Sequence, residues 1–147
     1  MAIAQGMCTS FKVEILNGIH AFGTTVVRAG TTADTMKIAL YTSAATIGAT
    51  TTAYSVTNET SGTGYIAGGN TLTTVAPASS GTTAFTAFAN TTWAASSITA
   101  RGALIYNDTQ ADKAIAVLDF GSDKTSTGGD FTVGFGSDPS NAIIRIA

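Results

Sequence analysis

The chain has 147 residues, one cysteine and a formal net charge of −2 at pH 7. This length is typical of one domain that folds without cross-links, and the single cysteine, Cys8, excludes an internal disulfide. The charge argues against a broad nucleic-acid-binding surface, and no apolar run approaches the roughly 20 residues of a membrane-spanning helix. The first residues also lack the basic and apolar regions of a signal peptide, so we expect a chain used without secretion.

The charged fraction is unusually low, at 11%, against about 25% in an average soluble domain. Thr and Ala are the commonest residues, and Thr suits a pleated, half-buried surface. A free monomer normally stays soluble through surface charge. We therefore interpret the composition as that of a protein packed against copies or partners. The alternative is that Thr and Gly solvate the surface adequately.

The N-terminal segment precedes the β pattern. Residues 1–10 are predicted to be an arm or a flexible tail, followed by a single domain over residues 11–147. The recurrence of apolar residues every four positions predicts a short helix over about 9–17, ended by Asn17-Gly18. We choose the helix; the alternative, based on alternation of apolar and polar residues in the same stretch, is a strand that turns at Asn17-Gly18. Residues 23–35 are interpreted as a loop with a short strand at Thr24–Arg28.

From residue 35 onward the pattern is that of short strands separated by turn residues. The most strongly marked feature is a hairpin, in which two apolar runs, Gly102–Tyr106 and Ala114–Phe120, flank a polar turn, Asn107–Lys113. Both runs are apolar on both faces, which is typical of central strands. The other predicted strands are Met36–Tyr41, Ala53–Thr57, Thr71–Ala76 (stopping at Pro77), Thr82–Ala89, Phe131–Phe135 and Ala142–Ile146.

Two stretches are predicted to lie outside these strands. Trp93 is interpreted as part of a loop or strand edge, and Asp123–Gly129 as a polar loop. About eight strands with few helical segments predict an all-β fold, an antiparallel β-sandwich of jelly-roll type with one short N-terminal helix.

Catalytic and metal-binding patterns are weak. A nucleophile–base pair would have to be Cys8 and His20, and the histidine is better explained as a helix-end residue that contacts backbone or water. The aspartates do not have the spacing of an EF-hand, and turn capping explains them better than calcium binding. They are Asp108, Asp112, Asp119, Asp123 and Asp130.

Three further motif matches are also interpreted as structural. Gly62, Gly64 and Ala67 fit a dinucleotide fingerprint only on paper, because no helix follows, and the glycines are expected at positive-φ turn positions. The Asn-X-Thr triplets at Asn58, Asn90 and Asn107 arise by chance in so Thr-rich a chain. The scattered basic residues indicate single ion pairs and no nucleic-acid stripe; they are Lys12, Arg28, Lys37, Arg101, Lys113, Lys124 and Arg145.

Several segments together resemble a family of small tailed-bacteriophage virion proteins. The matching segments, in order, are FKVEILNGIHAF (11–22), DTMKIALYTSAA (34–45), ETSGTGYIAGGNTL (59–72), ARGALIYNDT (100–109) and IAVLDFGSDKTSTGGDFTV (115–133). The motifs of this family are structural and bring no catalytic residues, metal ligands or cofactor with them.

The resemblance implies a non-enzymatic virion protein assembled in the cytoplasm of a bacterial host. A compact sandwich without a long extended hairpin is most similar to a capsid decoration, or cement, protein that binds the outer capsid surface and reinforces joints between capsomers. Its implied partners are the major capsid protein and copies of itself, as a dimer or trimer, with neither nucleic acid nor membrane. On this hypothesis residues 1–10 and the strand edges are the contact surface. The alternatives are a tail, neck or fibre/knob component, or a host-glycan-binding module with exposed Trp93, Tyr41, Tyr54, Tyr65 and Tyr106.

Overall fold

The computed structural model describes residues 2–16, 18–23, 32–136, 138 and 140–146. These residues form one α-helix, one 3-10 turn (Asp108–Gln110) and ten strands, all paired antiparallel within their sheets. The elements are β1 (Gly6–Met7), α1 (Thr9–Leu16), β2 (Met36–Tyr41), β3 (Asn70–Thr71), β4 (Thr74–Ser80), β5 (Thr83–Phe88), β6 (Thr91–Ser96), β7 (Thr99–Asn107), β8 (Lys113–Thr125), β9 (Gly129–Val133) and β10 (Ile144–Ile146).

The strands form three sheets with the orders β1-β8-β7-β2-β3, β10-β5-β4 and β6-β9. Buried apolar side chains from all three sheets make one core. Leu104 and Ile105 come from the five-stranded sheet, Phe88 from the three-stranded sheet, and Trp93 and Phe131 from the two-stranded sheet. The predicted fold class, an antiparallel β-sandwich with one short N-terminal helix, is confirmed. Two of the ten strands, β1 and β3, have only two residues each.

The predicted central hairpin is confirmed as β7 and β8. These strands occupy the middle of the five-stranded sheet, and Ala103 to Tyr106 are fully or almost fully buried. A buried strand covered on both faces carries continuous apolar sequence, which is why the pattern was so clear. Asn107 caps the turn that follows, because its side-chain oxygen accepts a hydrogen bond from the Gln110 amide.

The helix is confirmed over Thr9–Leu16, and the strand alternative for this stretch is wrong. The amides of Gly18 and Ile19 donate to the carbonyls of Ile15 and Glu14, the pair of bonds that defines a Schellman ending. Gly18 has the positive φ, 68°, that this ending requires. The turn residues at 17–18 therefore end a helix, although residue 17 itself lies outside the described part of the chain, as does the predicted strand 24–28.

The N-terminal segment lies against its own chain. Gly6 and Met7 pair with Val117 and Ala116 of β8, and Ile3 forms a bridge with Ile47. The predicted division into an arm (1–10) and a domain (11–147) stays a prediction, but the described residues of the arm are engaged by intramolecular backbone bonds.

Four strand predictions need correction. The strand expected to stop at Pro77 continues as β4 to Ser80, because β4 is an edge strand whose register shifts between Val75 and Ala78, so the missing proline N–H is tolerated. The strand expected over Ala53–Thr57 is only a bridge from Ala53 to Lys113.

The other two corrections concern Trp93, expected in a loop or at a strand edge, and Asp123–Gly129, expected to be a loop. Trp93 lies inside β6, where it is paired with Phe131 and buried. The loop expected from Asp123 is partly strand, because β8 resumes pairing with β7 beyond an irregularity, with Lys124 opposite Ala100.

Candidate functional site

The clearest candidate site is an exposed surface without charge. No Asp, Glu, Lys, Arg or His lies between Glu59 and Arg101, and this stretch contains β3, β4, β5 and β6. Its most exposed part is the hairpin of residues 74–88, formed by β4 and β5, which we call the uncharged hairpin. Soluble proteins normally cover such strands or protect them with charged side chains. An exposed hairpin without charge is therefore the expected form of a contact surface.

The geometry of the uncharged hairpin leaves one edge free. β5 lies in the middle of the three-stranded sheet, with β10 on one side and β4 on the other. Every residue from Val75 to Thr82 is exposed, and β4 makes no second strand pairing among the described residues. Two residues, Gly81 and Thr82, connect the strands, and the φ of 58° at Gly81 suits the first position of a type II′ turn. The hairpin thus projects its tip beyond the core.

Exposed apolar side chains accompany this surface on the same sheet. Val75 on β4 is 45% exposed and Ile146 on β10 is 60% exposed. Two more exposed apolar side chains lie in the loops before β3, namely Val56 at 64% and Ile66 at 81%. Isolated exposed apolar residues are ordinary, but here they occur in a chain with few charges to surround them.

The two loops that carry Val56 and Ile66 are joined by Glu59. Its carboxylate accepts hydrogen bonds from Tyr54 Oη (2.7 Å), Tyr65 Oη (2.6 Å) and the Gly68 amide (2.8 Å). Tyr65 Oη in turn accepts from the Leu40 amide of β2 at 2.9 Å. The loops are therefore held to the five-stranded sheet by a carboxylate with three donors.

The tyrosine hydroxyls near these loops all make hydrogen bonds within the fold. Tyr106 donates to the Gly68 carbonyl and stacks on Tyr54 with ring centroids 4.8 Å apart. Tyr41 donates to the Ser55 carbonyl, and burial raises the pKa of its hydroxyl to about 12. Burial, reinforced by the bond to the Glu59 carboxylate, also raises the pKa of Tyr65 above its ordinary value.

The aromatic residues proposed for glycan binding do not form an exposed cluster. Trp93, Tyr41 and Tyr106 are buried, and Tyr54 and Tyr65 are only partly exposed, with their hydroxyls bonded to Glu59. The indole of Trp93 lies between Tyr65 (5.9 Å, stacked) and Phe131 (6.1 Å, edge-on). These rings form core packing and leave no open aromatic platform for a sugar.

A second polar cluster joins the N-terminal helix to the β7–β8 turn, around His20. The His20 side chain is fully buried, and its Nε2 lies 2.7 Å from Glu14 Oε2. Asn107 Nδ2 lies 2.9 Å from His20 Nδ1 and 2.8 Å from Asp34 Oδ2. Because Asn107 uses its oxygen to accept from the Gln110 amide, its nitrogen must be the donor to both neighbours. His20 is therefore the tautomer with the proton on Nε2, donated to Glu14.

The Glu14 carboxylate is shared between two donors. Its Oε1 lies 3.1 Å from Lys113 Nζ, so the residue links helix α1 to the start of β8. Burial alone raises the pKa of Glu14, but the hydrogen bonds from His20 and Lys113 outweigh it, and the net pKa is lowered. The prediction that His20 contacts backbone or water is wrong, since its ring nitrogens bind two side chains.

The geometry does not assemble a nucleophile. Cys8 is buried, its sulfur faces the Gly48 carbonyl at 3.9 Å, and burial raises the pKa of the thiol to about 11. Both nitrogens of His20 are occupied by Glu14 and Asn107, so this histidine is not positioned to deprotonate the thiol. The Cys8–His20 pair considered from the sequence is not formed among the described contacts.

The acidic residues serve local roles. Asp119 pairs with Arg101 and accepts from the Gly121 amide, Asp108 faces Lys37 Nζ at 3.6 Å, and Asp130 accepts from the Ala95 amide. Within the described residues, no group of three or more His, Cys, Asp or Glu side chains could hold a metal ion.

The glycine prediction is confirmed, since Gly62 and Gly64 have positive φ, as do the following Gly68 and Gly69. The turn they form packs on β2, and a Cβ on Gly69 would lie 1.8 Å from the Ile38 carbonyl oxygen. The glycines thus permit close approach of two backbones.

Sequence reasoning missed the pairing of Asp34 with Asn107 and the central role of Glu59. A single carboxylate in a Thr-rich loop has no periodic signal, and contacts between positions 34 and 107 depend on the tertiary fold. The uncharged stretch between Glu59 and Arg101 was visible in the sequence and only needed to be delimited.

Comparisons of the chain with protein-family models, curated proteins and solved structures found no match. Among the described residues, the single helix is too short to cross a membrane.

Proposed function

We propose that this chain is a structural component of a tailed-bacteriophage virion, specifically a capsid decoration protein that binds the outer capsid surface and reinforces joints between capsomers. The observation that carries the proposal is the uncharged hairpin, an exposed strand pair with a free edge in a chain with 11% charged residues. Such a surface is costly to leave in water and useful at a permanent protein contact.

The resemblance to small phage virion proteins supports this proposal, because the segments that carry it have structural roles in the fold. The glycine-rich segment positions Glu59 and Tyr65 against β2. The segment ending in Tyr106, Asn107 and Asp108 closes the central hairpin and meets Asp34. A protein whose motifs serve its framework is suited to a scaffold role on a particle.

Decoration also agrees with what the interface must do. A stable protein contact buries about 1,600 Å² in total, and a smaller contact gains from repetition across a lattice. Strand addition at a free edge supplies backbone hydrogen bonds without needing charged anchors. The charge-poor surface of the chain, with its exposed β4 edge, provides contacts of this type.

A tail, neck or fibre location is the second candidate, and one observation favours it. The absence of an extended hairpin was a reason to prefer decoration, yet the uncharged hairpin projects its tip beyond the core. A glycan-binding module is less well supported, because its expected aromatic residues pack inside the fold. Enzymatic function lacks a paired nucleophile and base in the described geometry.

The test is cryo-electron microscopy of the virion whose genome encodes this chain. Decoration predicts density for the sandwich at regular positions on the outside of the icosahedral head, with strand edges touching the shell. Density confined to the tail, neck or fibres would overturn decoration and support the second candidate. Absence of the chain from purified particles, checked by mass spectrometry, would overturn the virion assignment itself.

A further inference from the structure

Building on the proposed virion role, in which copies of the chain contact one another, we propose that the free edge of β4 is the self-association surface. In this arrangement β4 pairs antiparallel with β4 of a second copy about a two-fold axis that passes next to Ser79. The two three-stranded sheets then become one continuous sheet with the order β10-β5-β4-β4-β5-β10.

The backbone of β4 is free to make this pairing. Ser80 and Thr83 flank the two-residue loop of the hairpin, so their backbone groups face each other across it. Because strand residues alternate in direction, the N–H and C=O of Ser79 point to the open edge. An antiparallel pair centred there places Ser79 opposite its own copy, and the two residues exchange hydrogen bonds.

Pro77 is compatible with the same register. A two-fold axis at Ser79 places position 77 opposite position 81 of the second copy. Each copy's Pro77 offers no donor there but keeps its carbonyl, so the ladder loses one N–H at each of its two ends. The flanking side chains, Ala78 and Ser80, are small, which lets two backbones approach at strand spacing.

Charge favours a second copy over a charged partner. Between Glu59 and Arg101 the chain has no charged group, so two copies meet at this edge without like-charge repulsion. The same absence gives a strongly charged partner nothing to recognise here. The uncharged edge is therefore complementary to itself.

The opposite edge of the sheet explains why the association closes. β10 has three residues, and Arg145 within it donates to the Ser140 carbonyl. Pairing β4 with β10 of another copy would be heterologous and would propagate into a filament. Pairing β4 with β4 uses each free edge once and ends at a dimer.

The test uses charge at the position that faces itself. Ser79→Lys and Ser79→Asp are made in the full chain, and the association of each is measured by analytical ultracentrifugation over a concentration series. The wild type is expected to dimerise, and either charged variant to weaken the dimer about tenfold or more, since like charges are then opposed across the axis. Mixing the two variants in equal amounts is expected to restore a dimer that contains one copy of each. Ser79→Ala is the matched control and should dimerise like wild type.

The proposal would be overturned by a wild type that stays monomeric up to about millimolar concentration. It would also be overturned by charged variants that dimerise like wild type, or by a mixture of the two charged variants that does not form a dimer. Thermal unfolding of each variant, at a concentration at which the wild type is monomeric, separates lost association from lost folding, because position 79 is exposed and its substitutions should not move the transition of the monomer. The ultracentrifugation and unfolding measurements do not depend on where cryo-electron microscopy finds density for the chain on the particle. A monomer would overturn edge pairing and leave capsid decoration to the microscopy, whereas density on the tail would overturn decoration and leave the dimer measurement standing.

Discussion

The five-stranded and three-stranded sheets of this protein differ in how much unpaired backbone their outer strands expose. In the five-stranded sheet the central strands β7 and β8 are paired on both sides, and the outer strands β1 and β3 have only two residues each. In the three-stranded sheet the outer strand β4 has seven residues and a free edge. The first sheet limits its exposed backbone by ending in very short strands, and the second leaves a long edge unprotected.

Charged groups follow the same division. Glu14 and Lys113 connect the helix to the β7–β8 turn, and Glu59 binds the loops to β2. No comparable group lies on the uncharged hairpin. The difference teaches that these charges act inside the fold, at joints between loops and the central sheet. The surface left without charges is then the one suited to contact with other molecules.

The largest expected effect is at the joint between the glycine turn and β2. Gly69 has a φ of 70°, and an added Cβ would lie 1.8 Å from the Ile38 carbonyl oxygen and 2.7 Å from its carbon. Because this overlap is with backbone, relief requires separation of the turn from β2. Gly69→Ala should lower the free energy of unfolding by about 4 kcal/mol or more, measured by urea denaturation.

Gly81→Ala is the matched control for this glycine. Its φ is 58°, but a Cβ there meets nothing within 4 Å. The cost should be only that of the left-handed conformation, about 1 kcal/mol. Equal losses for the two variants would contradict the claim that close backbone approach, and not φ alone, makes Gly69 necessary.

The next effect is expected in the buried cluster around Asn107. This side chain is fully buried and makes hydrogen bonds with His20, Asp34 and the Gln110 amide. Asn107→Ala removes these bonds, which leaves the buried His20 Nδ1 without its donor and Asp34 with only the Ala21 amide and the Gln110 side chain, and should cost about 3 kcal/mol. Asn90→Ala, at an exposed residue whose oxygen accepts from Phe135, should cost about 1 kcal/mol by the same denaturation measurement. A smaller loss at position 107 than at 90 would contradict the role of the cluster as a structural joint.

A smaller effect is expected on the pH dependence of folding stability, through the carboxylate of Glu14. Burial raises the pKa of this carboxyl in the folded chain, but the bonds from His20 and Lys113 outweigh burial and hold the pKa below its ordinary value of about 4.5. A lowered folded pKa means that the stabilisation is present above about pH 4.5 and is lost as pH falls through the folded value. Wild type should therefore lose stability over that acid range faster than Glu14→Gln, measured by thermal unfolding at a series of pH values. Parallel curves for the two proteins would show that the charge of Glu14 is not stabilising.

The sequence predicted the parts of the fold that depend on local pattern. The β7–β8 hairpin was recognisable because both strands are continuously apolar, and the helix ending because Gly18 follows the last apolar turn. The extent of β4 was mispredicted, because the rule that proline ends a strand does not hold at a free edge with a register shift. Whether a strand lies at an edge is decided by tertiary pairing, which local sequence does not contain.

The candidate site, like the fold, could be predicted from the sequence only in part. Low charge pointed to a contact surface, and the sequence alone delimits the uncharged stretch between Glu59 and Arg101. The side chains that meet across the fold, such as Asp34 with Asn107 and Tyr54 with Glu59, could not be paired from the sequence. Their contacts connect loops whose relative positions are fixed only when the sheets assemble.

The smallest effect on folding should come from the residue that matters most for association. Ser79→Pro removes an N–H that the alternation of β4 directs to its open edge, so the free energy of unfolding of the monomer should change by less than about 0.5 kcal/mol. The same substitution removes both donors from the centre of the proposed two-fold ladder, and it should weaken the dimer in ultracentrifugation while leaving the monomer intact. A loss of stability above about 2 kcal/mol would show that the Ser79 amide is used within its own sheet. The contrast between the two sheets would then be wrong at its central point, because the β4 edge would already be satisfied in the single chain.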